Sequence, residues 1–342
     1  MSSSVVVARK SPLPAKSPRD TAPVRAFWCP DVVSTRDLGP EGVGAVLDLA
    51  EIMKARPANF RTTLAGRQMV MFFEKPSLRT RLTFEAGMAG LGGTAMFVDQ
   101  THERLDAREN LSDVAHNLER WVDVIVLRTF SHETIAGMAK HASVPVINAL
   151  SDVEHPCQAL ADYLTLRQRF ADLTNVCLAY VGDGNNVAHS LLLTAACLGS
   201  SIRVATPAGY EPSAEIVEAA REIAEGTGAK IELMNDPHKA VAGADAVYTD
   251  AWVSMGQEQE TQKREKIFPP YQVNAELMAE AAPHAVFMHC LPAHRGLEVT
   301  DEVMDSAHSL IFEQAENRLH VQKAILYLLR GGDRRPARSA HA

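Results

Sequence analysis

The chain has 342 residues and a formal net charge of −8, from 34 basic and 42 acidic side chains. That balance argues against a general nucleic-acid or anionic-membrane footprint, so an anion has to be caught by a local basic cluster. Five cysteines (Cys29, Cys157, Cys177, Cys197, Cys290), odd in number and without a C-x-x-C pair, argue against a disulfide framework or structural zinc and for a reducing compartment.

Residues 1–24, rich in Ser, Pro, Lys and Arg, read as a disordered extension. A transit peptide is the alternative, but Pro12, Pro14 and Pro18 would break its helix, so a cytoplasmic location is expected. No apolar run reaches the roughly 18 to 20 residues of a membrane helix. Beyond the extension, short β-rich apolar runs alternate with helical patterns, the signature of parallel α/β sheets. In the first half the pattern predicts strands near 68–73, 94–98, 122–127 and 144–148, and helices near 41–54, 79–91, 110–120 and 131–141. A long helix follows from Pro156 to Phe170, with proline at a first helical position where its missing N–H costs nothing.

After the polar break at 171–175 a second series begins, with strands near 176–181, 201–205, 230–233, 246–249, 285–289 and 309–312. A terminal helix near 314–329 closes it. The expected fold is therefore α/β in two domains, each a parallel sheet flanked by helices, with the active site in the cleft between them. Residues 25–155 form the first domain, 156–172 a connecting helix and 173–313 the second domain. Residues 314–330 return as a helix to the first domain, and 331–342 are a flexible tail.

In such sheets ligands bind beyond the carboxyl ends of the strands, and the polar residues there are informative as a group. Phe73-Glu74-Lys75-Pro76-Ser77-Leu78-Arg79-Thr80-Arg81 turns the first strand into a helix at Pro76-Ser77. Ser77 can cap the free N–H groups of the first turn, and Arg79 and Arg81 add positive charge, which suits a phosphate. A capped helix with solvated arginines is the plainer alternative. Arg128 and Arg318 at other strand ends shift the balance towards a dianion, which guanidinium forks bind bidentately.

His155 and Gln158, three apart at a helix start, either cap the helix or bind ligand; a glutamine can hold the nitrogen and oxygen of a carboxamide together. Gly182-Asp183-Gly184-Asn185-Asn186 lacks the third glycine of a dinucleotide turn, Val187 standing there, so a nicotinamide cofactor is disfavoured and the turn is expected to present Asn186 to a polar ligand. Asp250 would hold a substrate ammonium or cap the next helix. Cys290 is either a nucleophile or a buried structural cysteine. A metal at His155, Cys157, His289 and Cys290 is disfavoured, since neither zinc spacing nor a carboxylate partner is evident.

The first of these stretches resembles the Ser-Thr-Arg-Thr-Arg phosphate motif of the aspartate and ornithine carbamoyltransferases. The resemblance continues in order through His155-Pro156-Cys157-Gln158-Ala159-Leu160-Ala161-Asp162, Asp250-Ala251-Trp252-Val253-Ser254-Met255-Gly256, His289-Cys290-Leu291-Pro292-Ala293 and Gln314-Ala315-Glu316-Asn317-Arg318-Leu319-His320. It covers roughly residues 26 to 330, and its Ser-Met-Gly and His-Cys-Leu-Pro stretches look like the ornithine branch.

The resemblance implies transfer of the carbamoyl group of carbamoyl phosphate to the δ-amine of L-ornithine, giving citrulline and phosphate without metal or organic cofactor. It implies that Ser77, the Leu78 backbone, Arg79, Thr80 and Arg128 hold the phosphate. His155, Gln158, the Cys290-Leu291 backbone and Arg318 would orient the carbamoyl group. Asn186, Asp250, Ser254 and Met255 would hold ornithine, with Cys290 and Asp250 placed to influence the amine proton. A homotrimer with sites at subunit interfaces is also implied, in which the loop 100–108, through Arg104, could reach a neighbour's site. Leu78 departs from the usual threonine, harmlessly if only its N–H is used. A sibling enzyme acting on putrescine or N-acetylornithine, and a non-catalytic paralogue, are the alternatives.

Overall fold

The computed structural model describes residues 29–102, 104–105, 107, 109–253 and 258–330. The expected N-terminal extension (1–24), the tail (331–342), Arg108, and the ornithine-side residues Ser254 and Met255 lie outside the described residues.

The first half contains α1 (Thr35–Ala55), β1 (Gln68–Phe73), α2 (Leu78–Gly90), β2 (Thr94–Asp99), α3 (Leu111–Leu118) and β3 (Val124–Arg128). It continues with α4 (His132–His141), β4 (Val146–Leu150) and the long α5 (Pro156–Phe170). The second half runs β5 (Cys177–Val181), α6 (Asn186–Leu198), β6 (Ser201–Ala205), α7 (Ala214–Thr227), β7 (Ile231–Met234), α8 (Pro237–Val241) and β8 (Ala246–Thr249). It ends with α9 (Thr261–Ile267), α10 (Ala275–Met278), β9 (Val286–His289), α11 (Asp301–Met304) and α12 (Ile311–Arg330).

Two all-parallel sheets result, ordered β2-β1-β3-β4 and β7-β6-β5-β8-β9. Strands β1, β3, β8 and β9 are buried on both faces, which is why they read in sequence as apolar runs, whereas the edge strands β2 and β7 are partly exposed. Each sheet reverses its winding once, between β1 and β3 and between β5 and β8, and a crevice opens at such a point. Register sets what meets there. Phe73 pairs with Arg128, and Thr249 pairs with His289, so Asp250 and Cys290 leave the second sheet side by side. α12 packs on α1, α2 and α5, and one continuous apolar core runs from Met69 and Phe84 through Tyr163 to Tyr180 and Tyr248.

Two expectations need correction. The segment 309–312 is not a strand: Ser309 makes one isolated bridge to Phe287, and helix α12 starts at Ile311. Gln314 and Arg318 are therefore a helix-face pair rather than residues at a strand end. The first helix near 41 has a forerunner that the spacing did not predict: Ser34 and Asp37 form a reciprocal capping box over a short turn from Thr35, and Gly39, at φ 58° and ψ −176°, breaks the helical path before the main helix runs on from Pro40.

Candidate active site

The phosphate side is built on the first turn of α2. Ser77 is its N-cap, accepting from Thr80 N and donating to the Thr80 hydroxyl, while the N–H groups of Leu78 and Arg79 precede any intrahelical carbonyl. Leu78 is 71% exposed, so the departure from threonine leaves the turn itself intact. Arg128, brought beside this turn by the β1–β3 register, is buried and donates from Nε to the Lys75 carbonyl. Arg318 reaches across from α12, donating from Nη2 to Thr80 Oγ1 at 2.8 Å and from Nη1 to Gln158 Oε1 at 2.9 Å.

Three guanidiniums thus lie within electrostatic reach of one another. Burial, then the charges of Arg318 and Arg79, push Arg128 down to about 9. Such a cluster is held against its own repulsion and calls for an anion. Arg81, in contrast, turns away, stacking 3.9 Å over Phe97 and pairing with Glu85.

His155 precedes Pro156 at the start of α5 and does not cap it with its side chain; its N–H is held by Ser190 Oγ at 2.8 Å. Burial, then Arg318 and Arg128, drive the imidazole well below its ordinary range, so it is neutral. Its Nδ1 and Arg318 Nε are buried without a hydrogen-bond partner among the described residues. Buried polar atoms left open in this way mark where a ligand is to be met.

Gln158 differs from its expected two-point role. Its nitrogen is committed to Asp162 Oδ1 at 2.7 Å, so only the oxygen is left on the Arg318 side. Asp162 also accepts from Gln314 Nε2 at 2.7 Å and from Tyr248 Oη at 3.1 Å, and Gln314 Oε1 accepts from the backbone N–H of His289. Asn317 is occupied with Thr165 and Gln168 on α5 and belongs to the scaffold.

Burial raises the Asp162 carboxyl from 3.8 to about 7, and its hydrogen bonds only partly offset this. The folded chain therefore binds a proton that the unfolded chain has released, and stability from this group is full below about pH 4 and lost as pH rises through about 7. Asp162→Asn is accordingly expected to gain stability over wild type between pH 5 and pH 7, by on the order of 2 kcal/mol. Urea unfolding of both proteins at the two pH values checks this; an unchanged difference would remove the buried carboxylate as the cause.

On the other side of the cleft Asp250 is the hub. Its Oδ1 accepts from Ala251 N and from Cys290 Sγ at 2.9 Å, and its Oδ2 from Asn185 Nδ2 at 2.8 Å. It does not cap the next helix. Burial, then Asp250, raise the Cys290 thiol well above its usual range, so this half-buried residue is a protonated donor and not a thiolate nucleophile.

The turn before α6 divides its two asparagines differently from expectation. Asn185 caps α6 and grips Asp250, whereas Asn186 donates to the Ser151 carbonyl across the cleft. Gly184 serves packing, since a Cβ there would lie 2.3 Å from Pro212 N, whereas Gly182 is needed for its backbone at φ 147°. Leu291 closes the site in the left-handed region (φ 59°), which costs a residue with a Cβ about 1–2 kcal/mol and occurs where a backbone group must point one way.

The disfavoured metal quartet does not assemble. Asp250, which spacing did not mark as a partner of the quartet, instead joins two of its members: ligand atoms of Asp250, His289 and Cys290 lie within 4.8 Å of one another. Both His289 nitrogens are engaged, Nδ1 by Leu291 N and Nε2 by Glu298, so a metal there would have to displace them.

Comparison with known proteins follows the same division. Residues 30–168 match the model described as "Aspartate/ornithine carbamoyltransferase, carbamoyl-P binding domain", and residues 174–329 match "Aspartate/ornithine carbamoyltransferase, Asp/Orn binding domain". The chain is 48% identical over 304 residues to a Pyrococcus abyssi protein named ornithine carbamoyltransferase (88% of this chain, 96% of the relative). It is 50% identical over 297 residues to one from Shewanella oneidensis (87% and 98%). Among solved structures, the ornithine carbamoyltransferase of Pyrococcus furiosus superposes with TM-score 0.86 at 47% identity, covering 89% of this chain and 98% of that one. The anabolic enzyme of Campylobacter jejuni gives 0.83 at 38% identity, covering 87% and 98%.

Proposed function

The chain belongs to the aspartate/ornithine carbamoyltransferase family, and from that premise we propose that it transfers the carbamoyl group of carbamoyl phosphate to the δ-amine of L-ornithine, giving L-citrulline and phosphate. One observation carries the reading: a three-arginine cluster at a helix N-terminus faces, across one cleft, a carboxylate–thiol pair. The first suits a phosphate dianion and the second a cationic amine.

In this reading the α2 N-terminus with Ser77, Leu78 N–H, Arg79, Thr80 and Arg128 holds the phosphate. His155, neutral, donates to the carbamoyl oxygen with Arg318, and Gln158 together with the Cys290-Leu291 backbone orients the carbamoyl nitrogen. Asp250, with Asn186 and the family pattern at Ser254 and Met255, holds ornithine. An ornithine amine is mostly protonated at neutral pH and attacks only when neutral. Cys290, held as a thiol, is no base, which leaves Asp250 as the group facing the amine proton. Attack forms the C–N bond, preorganised donors meet the oxyanion, and the C–O bond to phosphate breaks. The second amine proton leaves with phosphate as HPO₄²⁻, so the transfer balances without another reactant.

We also propose a homotrimer in the cytoplasm working in arginine biosynthesis. The exposed Leu78 and Leu82 on the site helix support a covering subunit, and the anabolic enzymes among the relatives support the direction. No helix among the described residues is long and apolar enough to cross a membrane.

The test is purified protein with carbamoyl phosphate and, in turn, ornithine, aspartate, putrescine and N-acetylornithine. Citrulline is the expected product. Carbamoylation of another amine with none of ornithine would overturn the reading.

A further inference from the structure

Asp162 is a fully buried carboxylate that the chemistry above does not use, yet three site elements converge on it. Gln158 Nε2 and Gln314 Nε2 both donate to its Oδ1, each at 2.7 Å, and Tyr248 donates to its Oδ2. Behind each glutamine stands a group that can only donate. Arg318 Nη1 meets Gln158 Oε1, and His289 N–H meets Gln314 Oε1. A guanidinium and a backbone N–H accept nothing, so both amide nitrogens must point at Asp162 whatever its protonation. A proton on the carboxyl would sit on Oδ2, where the Tyr248 oxygen can accept it.

We propose that Asp162 is a positioning residue for substrate selection: Arg318 and His289 set which end of each amide faces them, and Asp162 anchors the nitrogen ends, so that Gln158 is held with its oxygen towards the NH₂ of the carbamoyl group. This rests on the reading of carbamoyl phosphate as substrate. Without the acceptor, the Gln158 amide loses the partner that pins its nitrogen, and the oxygen is no longer held for the NH₂. Gln314 loosens in the same way, and with it the β9 backbone leading into Cys290 and Leu291. Substrate phosphate, held by α2 and Arg128, is not touched by this change.

Acetyl phosphate, with methyl in place of NH₂, isolates the effect. Binding of carbamoyl phosphate, acetyl phosphate and inorganic phosphate to the full chain is measured by calorimetry for wild type, Asp162→Ala and Asp162→Asn. Wild type is expected to prefer carbamoyl over acetyl phosphate. Asp162→Ala should shrink that preference about tenfold, the value of one buried hydrogen bond, with inorganic phosphate affinity unchanged.

Asp162→Asn should keep the preference, because its Oδ1 still accepts from both glutamines and its nitrogen can donate to Tyr248. A fold defect alone would weaken all three ligands together. Preference retained in the alanine variant, or lost in the asparagine one, overturns the proposal. Wild type binding carbamoyl phosphate no better than inorganic phosphate would instead overturn the functional reading beneath it. Should the alanine variant fail to fold, a neutron structure of wild type decides: amide deuterium atoms of Gln158 and Gln314 both directed at Asp162 Oδ1 support the assignment, and their absence there refutes it.

Discussion

Arg79→Ala is expected to lower kcat/KM by on the order of 10³-fold or more while leaving the fold intact. The loss is that large because, in the proposed function, the residue faces charge that develops on the leaving phosphate, in a site where preorganised donors are worth far more than in water. The fold should survive for three reasons. The Arg79 guanidinium makes no hydrogen bond among the described residues. Alanine is a better helix former in the first turn of α2. Removing one of three neighbouring positive charges also relieves Arg128 and Arg318, both held below their usual range by burial and by like charge. The measurement pairs steady-state kinetics with thermal unfolding. Retained activity with a large fall in unfolding temperature would show that the arginine is structural.

Asp250→Asn is expected to cost a comparable factor, but on the other substrate. Its two oxygens accept from three donors, Ala251 N, Cys290 Sγ and Asn185 Nδ2. An amide would set a nitrogen against one of these donors and remove the carboxylate charge proposed to face the amine. The expected result is a fall in kcat/KM for ornithine of roughly 10³-fold, with carbamoyl phosphate affinity, read by calorimetry, within about twofold of wild type. Cys290→Ser, which keeps a donor to Asp250, should lose far less. An unchanged ornithine KM and kcat in Asp250→Asn would refute the assignment of the carboxylate to the amine.

Much of the fold is legible in the residues because parallel strands are buried on both faces, so Met69 to Phe73 and Val124 to Leu127 appear as plain apolar runs between helical patterns. The misreading at 309–312 has the same origin. Leu310, Ile311 and Phe312 form an apolar run at a helix start, and only the single bridge at Ser309 resembles a strand. At the first helix Gly39-Pro40 reads as a breaker and is one: Gly39 leaves the helical region, and the capping box upstream holds only a short separate turn.

The sequence by itself determined the chemical inventory: which strand ends carry arginine, histidine, carboxylate or thiol, and that a helix with free N–H groups starts at Ser77. It also holds a carboxylate four residues after Gln158, in a helix whose residues Pro156 to Leu166 are all buried. Tertiary structure alone decided what that carboxylate does, since Tyr248 lies 86 residues from it and Gln314 152. It likewise decided that Asn185 and not Asn186 grips Asp250, that Gln158 turns its oxygen and not its nitrogen to the Arg318 side, and that Cys290 keeps its proton. Each of these depends on burial and on a partner distant in the chain. Local spacing fixes which groups a segment offers; desolvation and long-range pairing fix which atom, in which protonation state, faces the cleft.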